Sequence, residues 1–106
     1  MDDVLEFTTT EESDSMTVSL IGVASPTTLK GLLDKFKEIE DKLFEKDTVY
    51  FNLEKLYSTD SGGLGVFLHF NKILTENDTK MIVTNITEDV YLLFEVVGLQ
   101  HLLTIE

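Results

Sequence analysis

One short stretch of this sequence concentrates the residue types that could do chemistry: an acid, a hydroxyl and glycines within six positions. It follows Thr59 and reads Asp60-Ser61-Gly62-Gly63-Leu64-Gly65. A β-prone run precedes it and an apolar helical pattern follows it, so we predict a strand-to-helix turn here. A serine beside a carboxylate at such a turn admits three interpretations: a catalytic nucleophile, a loop whose glycine amides bind phosphate, or a capping serine open to modification.

A catalytic serine needs a histidine base that is itself oriented by a carboxylate. The string Asp60-Ser61-Gly62-Gly63 is similar to that of chymotrypsin-like proteases, but Thr59 replaces a glycine and 106 residues are too few for a double barrel. Of the two histidines, His69 lies about two turns into the following helix and His101 lies near the C-terminus in an apolar setting. We interpret both as ordinary histidines, and predict no catalytic residues and no enzyme activity.

A phosphate-binding loop would use the glycine amides at the start of the helix. The stretch lacks the lysine of a P-loop and a full Gly-x-Gly-x-x-Gly pattern, and Asp60 opposes a bound anion. We therefore expect no nucleotide and no other cofactor. In the third interpretation Ser61 or Asp60 caps the helix. An exposed Ser61 could then accept a phosphate, which the helix dipole stabilises and which adds about two negative charges beside Asp60.

The composition excludes several other functions. The chain carries 20 acidic and 8 basic residues, a net charge of −12, so we expect it to bind neither nucleic acid nor an anionic membrane. It has no cysteine, which excludes disulfides, thiol catalysis and cysteine-ligated zinc, and we expect no metal site. No apolar run approaches the roughly 20 residues of a membrane span. The acidic start, Met1-Asp2-Asp3-Val4, does not resemble a signal peptide, so we predict a cytoplasmic protein.

The elements that must position the turn follow from apolar periodicity. We predict strands at about 4–10, 16–21, 48–53, 80–84 and 102–105, and helices at about 26–44, 66–75 and 88–97. Ser25 and Pro26 are predicted to cap and begin the first helix, and Gly98 to end the last. The order β-β-α-β-α-β-α-β indicates one α/β domain over residues 1–106, with a mixed, mostly parallel sheet and an N-terminal β-hairpin.

Two of the predicted helices carry apolar residues on more than one side. The last helix has an inner stripe of Val90, Leu93, Phe94 and Val97, with Tyr91, Leu92 and Val96 off that stripe. In the preceding helix, Leu64, Phe67 and Leu68 face one way, and Val66, Phe70 and Ile73 another. A helix that is apolar on most sides is either buried or docked. Tyr91, Leu92 and Val96 are therefore either covered by the core or a tail, or form an interface, and a weak homodimer is left open.

With these elements in place, the sequence resembles the STAS domain family, in particular the bacterial anti-sigma factor antagonists. The segment 60–66 is similar to the family's Asp-Ser-[Ser/Thr]-Gly-Leu-Gly signature after a strand, and 90–99 is similar to its final helix with a Gly-Leu ending. The resemblance covers nearly the whole chain. The sequence departs from the family pattern in three ways: Gly62 replaces a hydroxyl residue, Ser58 and Thr59 replace apolar residues, and Ser25 replaces a recurring aspartate.

The resemblance implies partner switching. In such systems the unphosphorylated domain binds an anti-sigma factor that is also a serine kinase; the kinase phosphorylates the domain, which is then displaced, and a serine phosphatase resets it. Carried onto this chain, the acceptor is Ser61. The implied partner-binding residues are Ser25, Thr59, Asp60, Ser61, Gly62, Gly63 and Leu64. Two alternatives remain: a STAS scaffold or transporter-associated module that is never phosphorylated, and a small-ligand sensor.

Overall fold

Strands and helices alternate along the chain in the predicted order. The computed structural model describes residues 3–106; Met1 and Asp2, which begin the acidic N-terminus, lie outside the described residues. The elements are β1 (Leu5–Glu11), β2 (Ser15–Ala24), α1 (Leu29–Phe44), β3 (Thr48–Thr59), α2 (Ser61–Glu76), β4 (Lys80–Thr84), α3 (Glu88–Val97), a 3₁₀ turn (Leu99–His101) and β5 (Thr104–Ile105). The predicted bounds of β4 and α3 are confirmed.

The five strands form one sheet in the order β1-β2-β3-β4-β5. β1 and β2 pair antiparallel as the predicted hairpin, and every other pair is parallel. Because right-handed crossovers that all step in one direction leave their helices on one face, α1, α2 and α3 share a face of the sheet. The burial of the strands agrees, because buried residues alternate with more exposed ones along β2, β3 and β4. The buried side chains, which face the helices, are Met16, Val18, Leu20, Val49, Phe51, Leu53, Met81 and Val83.

Phenylalanine rings join α2 to its neighbours on both sides. The rings of Phe36 in α1 and Phe70 in α2 stack with centroids 4.0 Å apart, and Phe51 of β3 lies 5.8 Å from Phe70. On the other side, Phe67 of α2 lies 5.9 Å from Phe94 of α3. Each fully buried ring contributes about 1.5–3 kcal/mol relative to exposure. The helix that follows the Asp60 turn is therefore held in the middle of the helical layer.

The predicted start of α1 at Ser25 and Pro26 is wrong. The helix begins at Leu29, and Thr28, which precedes it, makes no side-chain capping bond. The hydroxyls of this segment bond backwards instead: Thr28 Oγ1 donates to the Val23 carbonyl at 2.9 Å and accepts from the Ser25 N–H at 2.9 Å. Residues 25–28 therefore form a turn tied to the end of β2, and α1 starts after it.

The boundary between β3 and α2 also differs from the prediction. β3 continues to Thr59 instead of ending near Leu53, and α2 begins at Ser61 instead of Val66. The pairing of β2 with β3 shifts register twice, between Ser19 and Ile21 and between Gly22 and Val23. These bulges break the alternation of apolar and polar residues from which a strand is predicted. The strand-to-helix turn consequently shrinks to Asp60 alone.

The predicted inner stripe of α3 needs one correction, because Val97 is 51% exposed. In α2, Phe67 and Phe70 from the two apolar sides are both fully buried, whereas Leu68 is 37% exposed. Gly98 does end α3 in the left-handed conformation, with φ 77°, as predicted.

Buried Lys46, in the loop before β3, bonds to the β1–β2 and α2–β4 loops at the end of the sheet opposite the Asp60 turn. Lys46 Nζ donates to the carbonyl of Glu12 at 2.7 Å and lies 2.9 Å from Glu11 Oε1, while the Lys46 carbonyl accepts from Thr79 Oγ1 at 2.9 Å. Its side chain is only 8% exposed. The Lys46 ammonium, first by its hydrogen bond and then by its charge, holds the pKa of Glu11 below the ordinary value.

We expect Lys46→Met to lower the free energy of unfolding by about 1.5–3 kcal/mol, because the Glu12 carbonyl loses the hydrogen bond from a charged donor. Urea denaturation at neutral pH measures the change. Lys72→Met is the control: Lys72 is exposed on α2 and belongs to none of the ion pairs found in residues 3–106, so its removal should change stability little. Equal effects of the two variants would contradict this account.

The ion pair of Glu11 also makes a prediction about pH. Because the pKa of Glu11 is lowered in the folded protein, its stabilisation is present above the unfolded-state pKa and is lost as the pH falls through the folded-state pKa. Glu11→Gln should therefore be less stable than wild type at neutral pH, and the two should converge in acid. Denaturation curves recorded across that range test this, and a difference that stays constant with pH would refute it.

Candidate functional site

Asp60 is the single residue between β3 and α2, and three of its groups form hydrogen bonds. Its N–H donates to the Ala24 carbonyl at the end of β2 at 3.1 Å, and its carbonyl accepts from Leu64 N–H at 3.1 Å. Its Oδ1 accepts from Gly63 N–H at 2.9 Å, in the geometry of a helix N-cap. Of the two predicted capping residues, Asp60 is therefore the one that caps α2.

Ser61 is the first residue of α2 and is exposed. No side-chain hydrogen bond found in residues 3–106 involves its hydroxyl, so the oxygen points to no internal partner. The residue lies at the positive end of the helix dipole, where a negative group is favoured by about 0.3–1 kcal/mol at an exposed site. This geometry suits a hydroxyl that receives an anionic group from outside.

The glycines beside Ser61 are required to different degrees. A Cβ at Gly63 would overlap the Thr59 hydroxyl oxygen and lie 3.1 Å from Ala24 Cβ, so α2 packs directly onto the ends of β2 and β3. A Cβ at Gly62 would lie 3.0 Å from a methyl carbon of Leu29, the first residue of α1. A Cβ at Gly65 would meet nothing within 4 Å. The absence of a side chain is therefore structurally necessary at Gly63, tight at Gly62 and optional at Gly65.

The structure brings the candidate partner-binding residues together at the carboxyl ends of two parallel strands. Ala24, just before Ser25, pairs with Thr59, just before Asp60. Only part of this set reaches the surface: Ser61 and Gly62 are exposed and Asp60 is half-buried. The remaining members are buried, with exposures of 8% for Ser25, 7% for Thr59 and 6% for Leu64, and Gly63 is buried as well.

An apolar groove of about 220 Å³ begins at Ser61. It lies between α2 and the segment after α3, and its lining is Ser61, Leu64, Gly65, Leu68, Val97, Leu99 and Leu102. Sequence reasoning missed this groove because its walls come from two segments, 61–68 and 97–102, that are far apart along the chain. A signal was present in Gly98, whose left-handed cap turns the chain so that Leu99 and Leu102 meet α2.

The candidate interface on α3 divides into exposed and half-buried residues. Leu92 is 51% exposed and Val96 is 82% exposed, whereas Tyr91 is half-buried. Neither a crowded core nor the C-terminal residues cover Leu92 or Val96. Both are therefore available on the surface of α3, and Val96 directly precedes Val97 in the groove wall.

The surroundings of Ser61 lack the groups of a hydrolytic site. His69 lies eight residues further along α2, about 12 Å along the helix axis, and neither histidine hydrogen-bonds to Ser61 in residues 3–106. Across the same residues, no three histidine, aspartate or glutamate side chains cluster closely enough to hold a metal ion. None of the helices described there has the length and apolar character of a transmembrane span.

A five-stranded mixed sheet with helices on one face and a serine opening its central helix defines a two-layer α/β domain. The chain belongs to the STAS domain family, whose model matches residues 33–106. The resemblance seen in the sequence and the predicted fold class are thereby confirmed.

Proteins similar to this chain carry related names. An anti-sigma-B factor antagonist from Staphylococcus aureus is 36% identical over 55 residues, 52% of this chain and 51% of that protein, so the chain matches about half the length of its curated relatives. An anti-sigma factor antagonist from Mycobacterium paratuberculosis has a TM-score of 0.83 at 13% identity, covering 96% of this chain and 85% of that one. Unphosphorylated SpoIIAA, an anti-sigma factor antagonist, has a TM-score of 0.75 at 21% identity, covering 95% and 88%.

We expect Asp60→Ala to lower the free energy of unfolding by about 1 kcal/mol, because the Gly63 N–H loses its acceptor. Thermal or urea denaturation measures it. Thr87→Ala, which removes the cap of α3, is the matched control and should cost less, since the bond from Val90 N–H to Thr87 Oγ1 is longer at 3.4 Å. The reverse order would contradict the role given to Asp60.

The glycines offer a second paired test. Gly63→Ala should be strongly destabilising, because its Cβ would overlap Thr59 and force α2 away from the sheet. Gly65→Ala should be neutral or stabilising by up to about 1 kcal/mol, because alanine favours the helix and its Cβ meets no atom within 4 Å. Urea denaturation measures the free energy of unfolding of both variants. Equal changes in the two would show that packing does not distinguish the two sites.

Proposed function

We propose that this protein is an anti-sigma factor antagonist that acts by partner switching, with Ser61 as its phosphorylated residue. In the unphosphorylated state it binds an anti-sigma factor that is also a serine kinase, and in the phosphorylated state it releases that protein. A serine phosphatase restores the binding state. The observation that carries the proposal is the exposed, unengaged Ser61 hydroxyl at the start of α2, at the end of an apolar groove.

The names of similar proteins support the same function. The Staphylococcus aureus relative is an anti-sigma-B factor antagonist. The Bacillus cell fate determinant SpoIIAA has been solved in a phosphorylated form, and that structure has a TM-score of 0.70 with this chain at 19% identity, covering 95% of this chain and 91% of that one. On this proposal the protein works in the cytoplasm as a kinase substrate and binding partner, and has no catalytic activity of its own.

A phosphate on Ser61 would act on the surface and leave the fold intact. It brings about −1.5 to −2 charges and lies at the N-terminus of α2, where the dipole favours anions. The same group stands at the mouth of a groove whose other lining residues are Leu64, Gly65, Leu68, Val97, Leu99 and Leu102. A partner side chain in that groove would have to strip water from the phosphate, which costs several kcal/mol without a compensating charge.

The candidate partner-binding residues then divide into two roles. Ser61, Gly62 and the half-buried Asp60 contact the partner directly. Ser25, Thr59 and Gly63 lie beneath them and hold the start of α2 against the ends of β2 and β3, and Leu64, which is also buried, lines the groove. Substituting the buried residues would therefore disturb binding through the shape of the site.

Incubation with the cognate anti-sigma kinase and ATP should add one phosphate, which peptide mass spectrometry should locate at Ser61. Ser58→Ala, which removes another exposed hydroxyl near the turn, should be labelled like wild type, and Ser61→Ala should not be labelled. Ser61→Asp should fold normally and bind the kinase at least about tenfold more weakly, a loss of 1.4 kcal/mol. Equal labelling of Ser61→Ala, or unchanged binding by Ser61→Asp, would exclude the switch.

A further inference from the structure

The groove at Ser61 continues into an exposed apolar surface that nothing in residues 3–106 covers. Its exposed side chains, here called the α2–α3 face, are Leu68 (37% exposed), Leu92 (51%), Val96 (82%), Val97 (51%) and Leu102 (57%). Isolated exposed aliphatic residues are normal on a protein surface. Here they occur on neighbouring elements, and Leu68, Val97 and Leu102 line the same groove, which indicates a docking surface.

The exposed charges on α3 are all acidic, and α2 adds one exposed lysine, Lys72, one turn beyond Leu68, and one exposed acid, Glu76. Glu88, Asp89 and Glu95 are exposed on α3, and residues 88–101 include no lysine or arginine. The ion pairs found in residues 3–106 join Lys30 to Asp34, Lys35 to Glu38 and Lys46 to Glu11. The three carboxylates of α3 therefore have no internal cation to neutralise them, and they favour a basic ligand.

We propose that the α2–α3 face binds an amphipathic helix of the partner protein, with aliphatic residues on one side and lysine or arginine along its flanks. This names the chemistry of the partner in the proposed function and rests on that function. A second copy of this chain is a poorer occupant, because pairing two such faces would set the carboxylates of α3 against each other. An anionic membrane is repelled for the same reason.

The spacing of the face suits a helical ligand. Leu92 and Val96 are four residues apart, so they lie on one side of α3 about one turn, or 6 Å, apart. Helices docked in apolar grooves present anchors at the i, i+3, i+4 and i+7 positions, which matches this repeat. An aliphatic anchor in the groove at Leu68 and Val97, followed by others along Leu92 and Val96, would cover the face.

A basic ligand must still be released by a phosphate, and burial of the phosphate explains how. Glu88 and Asp89 lie about 12–14 Å along the axis of α3 from Val97 in the groove wall, and Glu95, two residues before Val97, is exposed at the rim of the groove. Ser61 lies at the groove itself, where the ligand places an aliphatic anchor. Burying a phosphate beneath that anchor costs several kcal/mol, whereas an ion pair at an exposed rim recovers about 0–1 kcal/mol. The cost of desolvating the phosphate therefore exceeds the gain from the ion pairs, and the ligand is released.

The test uses the unphosphorylated full chain and a synthetic helical peptide of about 15 residues, with leucine on one face and lysine on the flanks. Two-dimensional ¹⁵N NMR titration should shift the amides of Leu68, Leu92, Val96, Val97 and Leu102. A peptide of the same composition with its leucines dispersed around the helix should bind at least tenfold more weakly. A peptide with glutamate in place of lysine should not bind.

Variants locate the site independently of the spectra. Val96→Asp and Leu92→Ser should weaken the lysine–leucine peptide at least tenfold, as measured by fluorescence anisotropy. Val4→Asp is the matched control, since Val4 is 63% exposed outside the face, and it should bind like wild type. Glu88→Lys with Asp89→Lys should weaken binding and reduce its dependence on salt.

The outcomes separate this inference from the proposed function. Shifts confined to other surfaces, equal binding of the dispersed peptide, or a stable dimer that Val96→Asp dissociates in analytical ultracentrifugation would overturn the docking face. Ser61→Asp should bind the peptide at least tenfold more weakly than wild type. Undiminished binding by that variant would contradict switching at Ser61 and would leave the face as a docking surface.

Discussion

The arrangement of this domain depends on Asp60, which joins two strands and a helix with one residue. It follows the last residue of β3, and its N–H donates to the Ala24 carbonyl at the end of β2. Its carbonyl accepts the first helical bond of α2, from Leu64 N–H, and its carboxylate accepts from the otherwise free Gly63 N–H. Helix starts need such acceptors because their first N–H groups have none inside the helix. Thr59 also packs so closely against Gly63 that no side chain fits there. Together these bonds and this contact fix the position at which α2 begins. The exposed position of Ser61 is a consequence of that constraint.

The surface around Ser61 follows from the topology of the sheet. Because strands β2 to β5 are added in sequence order, α1, α2 and α3 lie side by side, with α2 between the others. The outer helix, α3, therefore has a free side, and Leu92 and Val96 occupy it. Gly98 then reverses the chain, which brings Leu102 to the same groove as Ser61. An acceptor and an apolar surface that are distant in sequence thus become neighbours.

Much of the fold could be predicted from the sequence because local signals were strong. Alternation and helical periodicity located every strand and helix, and Gly98 marked the end of α3. Prediction failed where a longer-range interaction decided the outcome. The bulges against β2 hid the extension of β3 to Thr59, and the bond of Thr28 to Val23 displaced the start of α1. The turn was found because its residues are contiguous, whereas the groove was missed because its walls come from separate parts of the chain.

The departures from the family signature leave few charges near Ser61, so that a phosphate there would change the local charge by a larger proportion. Ser25 stands where the family often has an aspartate, and it is buried beside the end of β3, where a second carboxylate would lie close to Asp60. Gly62 removes a neighbouring hydroxyl, and a Cβ at this position would lie 3.0 Å from a methyl carbon of Leu29. Asp60 is therefore the one carboxylate among residues 59–65, and its Oδ1 is held by Gly63 N–H. On the proposed function, phosphorylation would change the local charge from −1 to about −3. With α2 fixed to the sheet, that change would be expressed at the groove and not as a rearrangement of the fold.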